Sequence, residues 1–158
     1  SKAAVRSPIH FSLLTCLAFC ILSPSTWAKD IAPGLPVVTL KAGNQSIQAE
    51  VAATEESRQK GLMFREKMGR NEGMLFVFNE LGYHAMWMRN TPLPLSVAFI
   101  DEGGKILSIH EMQPHTEVTH QAAGPSRYAL EMNAGWFKAN KVSVGDPVRG
   151  LEKAPKPR

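Results

Sequence analysis

The apolar residues of this chain come in short runs, and turn-forming residues cut each run off. Val37 to Lys41 alternates apolar and polar side chains, the two-residue period of a strand. Ala42-Gly43-Asn44-Gln45 makes a turn, and Ser46 to Ala53 places Ile47, Ala49 and Val51 on one face, so the pair predicts a hairpin. Met74 to Phe78 is continuously apolar, which predicts a strand covered on both faces. Tyr83 to Arg89 reads as the next strand. Leu95 to Asp101 and Lys105 to Met112 flank the tight turn Asp101-Glu102-Gly103-Gly104. Gln113 to Pro125 reads as a loop. Ser126 to Met132 is a further strand, and Lys141 to Val144, Gly145-Asp146-Pro147 and Val148-Arg149 close the domain. So many short strands predict a mainly β fold, an antiparallel sandwich or barrel.

The period changes once. Thr54 can cap a helix, Glu55 and Glu56 suit its positive end, Arg58 and Lys60 suit its negative end, and Gly61 supplies a left-handed exit. One short helix is expected near residues 54–61.

The first 28 residues read differently. Lys2 and Arg6 precede an uncharged apolar stretch, Phe11 to Leu22, and Ser23 to Ala28 ends on a small residue. That is the layout of a secretory signal peptide, and the stretch is short for a membrane span. The expectation is export to the periplasm or beyond, with residues 29–36 as a linker, 37–150 as one domain and 151–158 as a flexible tail. Cys16 and Cys20 both lie in the signal segment, so the exported portion carries no disulfide, thiol nucleophile or cysteine zinc site. Setting Lys2 and Arg6 aside leaves 16 basic against 14 acidic residues. A balance of +2 gives no electrostatic footprint for nucleic acid, and no lasting membrane span is expected after cleavage.

The stretch His84-Ala-Met-Trp-Met-Arg-Asn-Thr-Pro-Leu-Pro94 carries the chemistry. Strand alternation puts His84, Met86 and Met88 on one side and Trp87 with Arg89 on the other. Met suits a core, whereas Trp87 offers a flat stacking surface and Arg89 a cation for carboxylates, phosphates or sugar hydroxyls. Asn90 adds an amide where the strand ends, and Pro92 and Pro94 stiffen the exit. The structural alternative makes Trp87 a core residue and pairs Arg89 with Glu131, which lies on the strand face opposite Tyr128, Leu130 and Met132.

Several runs carry a resemblance in common. They are Thr54 and Arg58 leading into Gly61-Leu-Met-Phe-Arg65, Gly73-Met-Leu-Phe-Val-Phe78, Met86-Trp-Met-Arg-Asn-Thr-Pro-Leu-Pro-Leu95, Phe99-Ile-Asp101, Leu130-Glu131 and Gly145-Asp146. In this order they closely resemble domain of unknown function family 192, over residues 37–150. The resemblance implies a compact β-rich domain, often exported, in bacteria and archaea, and it implies no established activity. The family pattern usually has Asp after Pro-Leu, where this chain has Ser96. It often has Lys where Arg89 stands, so the resemblance asks for a cation there rather than a fork.

Other constellations are weaker. His110, His115 and His120 are spaced by five, which alternates strand faces, and Pro114 interrupts them. His84, Met86 and Met88 share a face and could offer soft donors to Cu(I). No phosphate-cradling loop, dinucleotide fingerprint or nucleophile elbow occurs, and no cofactor is expected. The leading functional expectation is a binding module for a polar envelope ligand, a glycan or an anionic peptide, using Arg65, Trp87, Arg89, Asn90 and Glu131. The alternatives are a hydrolase with Glu131 as acid or base, a Cu(I)-handling protein, and a docking partner for another envelope protein.

Overall fold

The structure, a computed structural model, describes residues 34–158. The expected signal segment, its two cysteines and most of the linker lie outside the described residues. The elements are β1 (Val37–Ala42), β2 (Gln45–Ala52), α1 (Glu55–Lys60), β3 (Glu72–Gly82), β4 (Ala85–Met86), β5 (Leu95–Ile100), β6 (Ile106–Met112), β7 (His120–Gln121), β8 (Ser126–Asn133), α2 (Trp136–Ala139) and β9 (Val148–Arg149). Seven strands form one sheet in the order β6-β5-β8-β3-β2-β1-β9, and β4 pairs with β7 separately. The large sheet curls until its edges meet at one end. There Lys105 bridges Pro147, and the amides of Gly145 and Val148 donate to the carbonyls of Ile106 and Gly104, both at 2.8 Å. The fold is mainly β, as the turn spacing predicts.

One pairing departs from the antiparallel expectation: β2 and β3 run parallel, Val51 opposite Leu75. A parallel pair needs a crossover, and residues 53–71, with α1, supply it. Thr54 Oγ1 accepts from the Ser57 amide at 3.1 Å, and Ser57 Oγ accepts from the Thr54 amide at 3.0 Å. This reciprocal cap fixes where the short helix begins.

The sheet is covered on both faces. Leu40, Ile47, Leu75, Leu130 and Met132 pack on one side with Trp136 and Phe137 of α2. Met74, Phe76, Phe99 and Ala129 pack on the other, under Leu62, Met88 and Leu93. The run Met74–Phe78 is therefore buried throughout, and burying each such side chain contributes about 1.5–3 kcal/mol. Gly73 sets the spacing of the two central strands. It faces Met132 across the β3–β8 ladder, and a Cβ there would lie 2.5 Å from the Glu131 carbonyl oxygen.

The stretch Gln113–Pro125, read as a loop, contains the short strand β7, because His120 and Gln121 pair with Met86 and Ala85. Three further local expectations are corrected. Tyr83–Arg89 forms ladder pairs only at Ala85 and Met86, because the chain turns at Asn90, whose φ is 51°. Lys141–Val144 forms no strand, and α2 just before it had no capping side chain to announce it. The segment 151–158, expected to be loose, begins with a 3-10 turn at Leu151–Lys153. Leu151 is buried there, and the Arg158 amide donates to the Ala53 carbonyl at 2.8 Å.

Candidate functional site

Side-chain alternation survives along His84–Arg89 even where ladder pairing stops. His84 and Met86 are half-buried and Met88 is fully buried, while Ala85, Trp87 and Arg89 are exposed. Anchoring comes from both ends. The Met88 amide donates to the Thr116 carbonyl at 2.9 Å, and the Phe64 amide donates to the Asn90 carbonyl at 2.8 Å. Buried Thr91 closes the turn by donating its hydroxyl to the Arg89 carbonyl at 2.9 Å.

Trp87 is 42 % exposed, so the indole is not a core residue. The Arg89 guanidinium carbon lies 5.6 Å from the centre of the indole ring, within cation–π range. Arg89 pairs not with Glu131 but with Glu117, at 3.5 Å. Both side chains are more than half exposed, and such pairs contribute little, so Arg89 is readily diverted to a ligand.

Glu131 occupies a different environment. It is 3 % exposed and stands between Met74 of β3 and Val97 of β5, both fully buried. Among the described residues no side chain or backbone group hydrogen-bonds its carboxyl. An ionised carboxylate without a partner is costly in such surroundings. Burial accordingly pushes its pKa up to about 8. At neutral pH the group is a carboxylic acid, with one O–H to donate and an oxygen still able to accept.

These residues converge on one groove between the α1 side and the Ala85–Asn90 segment. Its central pocket has a volume of about 110 Å³, with Glu131 at its base and Arg58, Lys60, Trp87 and Arg89 among its walls. A depression of about 440 Å³ continues it past Met86 to His84 and Glu80. Another of about 610 Å³ continues it past Trp87 to Asn90 and Glu56. Arg58 is held in place by donating from Nη1 to the Val77 carbonyl at 3.0 Å. Gly61 lets the chain after α1 lie against the Phe76 ring, since a Cβ there would sit 3.1 Å from it.

The groove thus brings together Trp87, Arg89, Asn90 and Glu131. Arg65 does not line it; its Nη2 is bonded to Glu50 Oε1 at 2.8 Å. Arg58, Lys60, Met63 and Phe76 also line it, although the sequence did not single them out as site residues. Arg58 and Lys60 read there only as cations suited to a helix C-terminus, and the packing of α1 against a distant segment leaves no local signal.

The Cu(I) set does not converge. Met88 belongs to the core, and the His84 ring stacks on Phe78 at 3.8 Å with Nε2 2.8 Å from the Glu80 carbonyl oxygen. His110 and His120 do approach, with ring centres 5.7 Å apart, and burial and then the neighbouring His120 lower the pKa of His110. His115 is exposed. Among the described residues no group of three or more His, Cys, Asp or Glu is placed to hold a metal, and no helix is long and apolar enough to cross a membrane.

The fold is a curled, mainly β sheet with a parallel β2–β3 crossover, and its groove holds a buried glutamic acid with no hydrogen-bond partner among the described residues. The chain belongs to the DUF192 family, described as "Uncharacterized ACR", whose profile matches residues 37–150. Two crystal structures are similar to it. One, from Sinorhizobium meliloti 1021, is described as a candidate transcription regulator; it is 38 % identical, covers 73 % of this chain and 92 % of its own, and has a TM-score of 0.67. The other, from Novosphingobium aromaticivorans DSM 12444, is a protein of unknown function; it is 32 % identical, covers 75 % and 89 %, and has a TM-score of 0.72. No curated protein matches the chain.

Proposed function

We propose that this protein is an exported binding module whose groove takes a polar, anionic ligand of the cell envelope. The observation that carries the reading is Glu131, a buried acid without a partner at the base of a pocket walled by Arg58, Lys60 and Arg89. A neutral carboxylic acid can donate a hydrogen bond to an incoming anion, and the three cations meet its charge. Trp87 supplies a flat apolar wall for the uncharged part of the ligand. Export rests on the sequence of residues 1–28 and belongs to the same proposal.

Binding is favoured over hydrolysis. Most glycoside hydrolysis needs two carboxyl groups across the scissile bond, and Glu131 is the sole carboxyl among the described residues lining the central pocket. The regulator description of the Sinorhizobium relative finds no parallel in the groove. Glu55, Glu56 and Glu80 along its flanks offset the cations, which is unfavourable for a polyanion.

Titration calorimetry tests the reading, with uronic-acid oligosaccharides and acidic peptides as ligands and their neutral amides as controls. The anionic forms are expected to bind, and Arg89→Ala and Glu131→Leu to weaken them about tenfold each, the loss of one hydrogen bond to a charged group. Equal binding of the neutral analogues would overturn it.

A further inference from the structure

The groove has a property that neither its charges nor its indole account for: one wall is an open strand edge. β4 pairs with β7 so that Ala85 stands opposite Gln121 and Met86 opposite His120. The Ala122 amide donates to the His84 carbonyl at 2.8 Å. In an antiparallel ladder, hydrogen-bonded and non-bonded pairs alternate. With His84 bonded to Ala122, Ala85 and Gln121 form the non-bonded pair, and the N–H and C=O of Ala85 turn away from β7. Trp87 follows the same alternation, since the Met88 amide again turns toward Thr116. Ala85 and Trp87 both line the central pocket, and among the described residues neither has a main-chain partner on that side. Unpaired edges of this kind are templates for another strand.

We propose that the groove binds an extended peptide, which adds as a strand to the Ala85–Trp87 edge and sets an acidic side chain over Glu131. The inference rests on the anionic-ligand reading and narrows it to one chemical class. Geometry and charge agree on the occupant. From His84 to Met88, before the turn at Arg89–Asn90, the extended segment runs about 13 Å at strand rise, room for roughly four extended residues. The central pocket, at about 110 Å³, suits one acidic side chain at the middle of a longer ligand that runs into the depressions on either side. Its walls are cationic, whereas Glu55 and Glu80 flank the His84 end. The best occupant is therefore an extended peptide with Asp or Glu at its centre and a Lys or Arg toward that end. Main-chain bonds would supply affinity, and alternate side chains would supply selectivity.

The test uses the full chain, immobilised, and a library of capped hexapeptides with Glu fixed at the fourth position. The tightest binder is remade with N-methyl groups on one alternate set of amides, then on the other. Glutarate serves as a carboxylate without a peptide backbone. One methylated set is expected to lose about tenfold or more in affinity and the other to bind like the parent, because a strand shows its amides to its neighbour alternately. Ala85→Pro, which removes the edge donor, should weaken the parent peptide about tenfold; if that variant does not fold, the methylated pair decides alone. If both methylated sets bind like the parent, or if glutarate binds and no peptide does, strand addition is overturned and the anion reading stands. If neither peptide nor glutarate binds, both fall together.

Discussion

Glu131 stands directly opposite Met74 in the antiparallel β3–β8 ladder, so a carboxyl group shares its immediate surroundings with a thioether instead of a cation. Burial pushes its pKa up to about 8, and the consequence for stability has a definite sign. Below the ordinary carboxyl range both folded and unfolded chains hold the proton, and the full stability is present. As pH rises above that range the unfolded chain releases the proton while the folded chain keeps it. The folded state then binds more protons, so stability falls by about 1.4 kcal/mol per pH unit and levels off above about pH 8. The lowered pKa of His110 acts in the opposite direction, so the informative quantity is a difference. Denaturant unfolding should show wild type losing ground to Glu131→Gln from about pH 5 to about pH 8, and no further above it. Parallel curves for the two proteins would assign the proton to another group.

The groove depends on how closely β3 approaches β8. Gly73 faces Met132, and an added Cβ would collide with the Glu131 carbonyl oxygen and the Met132 sulfur. The oxygen is backbone in the middle of the sheet and cannot swing aside. Gly73→Ala should therefore cost about 2–4 kcal/mol, seen as a lower Tm. It should also weaken ligand binding in whatever fraction remains folded, since the collision is at Glu131 itself. A Tm unchanged from wild type would show that the two strands separate freely at this point.

How much of this was legible in the sequence follows from which forces are local. The β1–β2 hairpin, α1 and the doubly covered run Met74–Phe78 were legible because turn chemistry, capping and hydrophobic period act over a few residues. The side-chain alternation of His84–Arg89 was legible for the same reason, although its ladder was not: pairing there depends on β7, over thirty residues later. The parallel β2–β3 pairing left no trace, because a strand's pattern does not say which way its neighbour runs. The environment of Glu131 was half legible. Its neighbours in sequence placed it on a buried strand, but the residues that face it across the two ladders, Met74 and Val97, come from two other strands.

Ser96, where the resemblance leads one to expect an acid, sits in a network of its own. The buried hydroxyl donates to Glu111 Oε2 at 2.5 Å and accepts from the Gly135 amide at 2.8 Å. Glu111 also reaches that amide, at 3.3 Å, so the carboxylate comes from the neighbouring strand. Ser96→Ala strands part of this network and should cost about 1–2 kcal/mol. Ser96→Ala combined with Glu111→Ala should cost less than the two single losses together, as expected of groups sharing one partner. Simple additivity in the unfolding free energies would break the link between them.

The two described tryptophans should behave in opposite ways. Trp136 is 4 % exposed, packs edge-on against Phe137, and donates from Nε1 to Asn71 Oδ1 at 3.0 Å. Trp136→Ala leaves a cavity and an unpaired amide, and should cost about 3–5 kcal/mol. Trp87 is 42 % exposed and faces the exposed guanidinium of Arg89. Trp87→Ala should cost under about 1 kcal/mol in stability, yet weaken an anionic ligand about tenfold by removing the wall it stacks on. Thermal melts and calorimetry on the two variants separate the roles. A Trp87 variant that melts far below wild type would make the indole structural, and the groove would lose its apolar wall as a reason to call it a binding site.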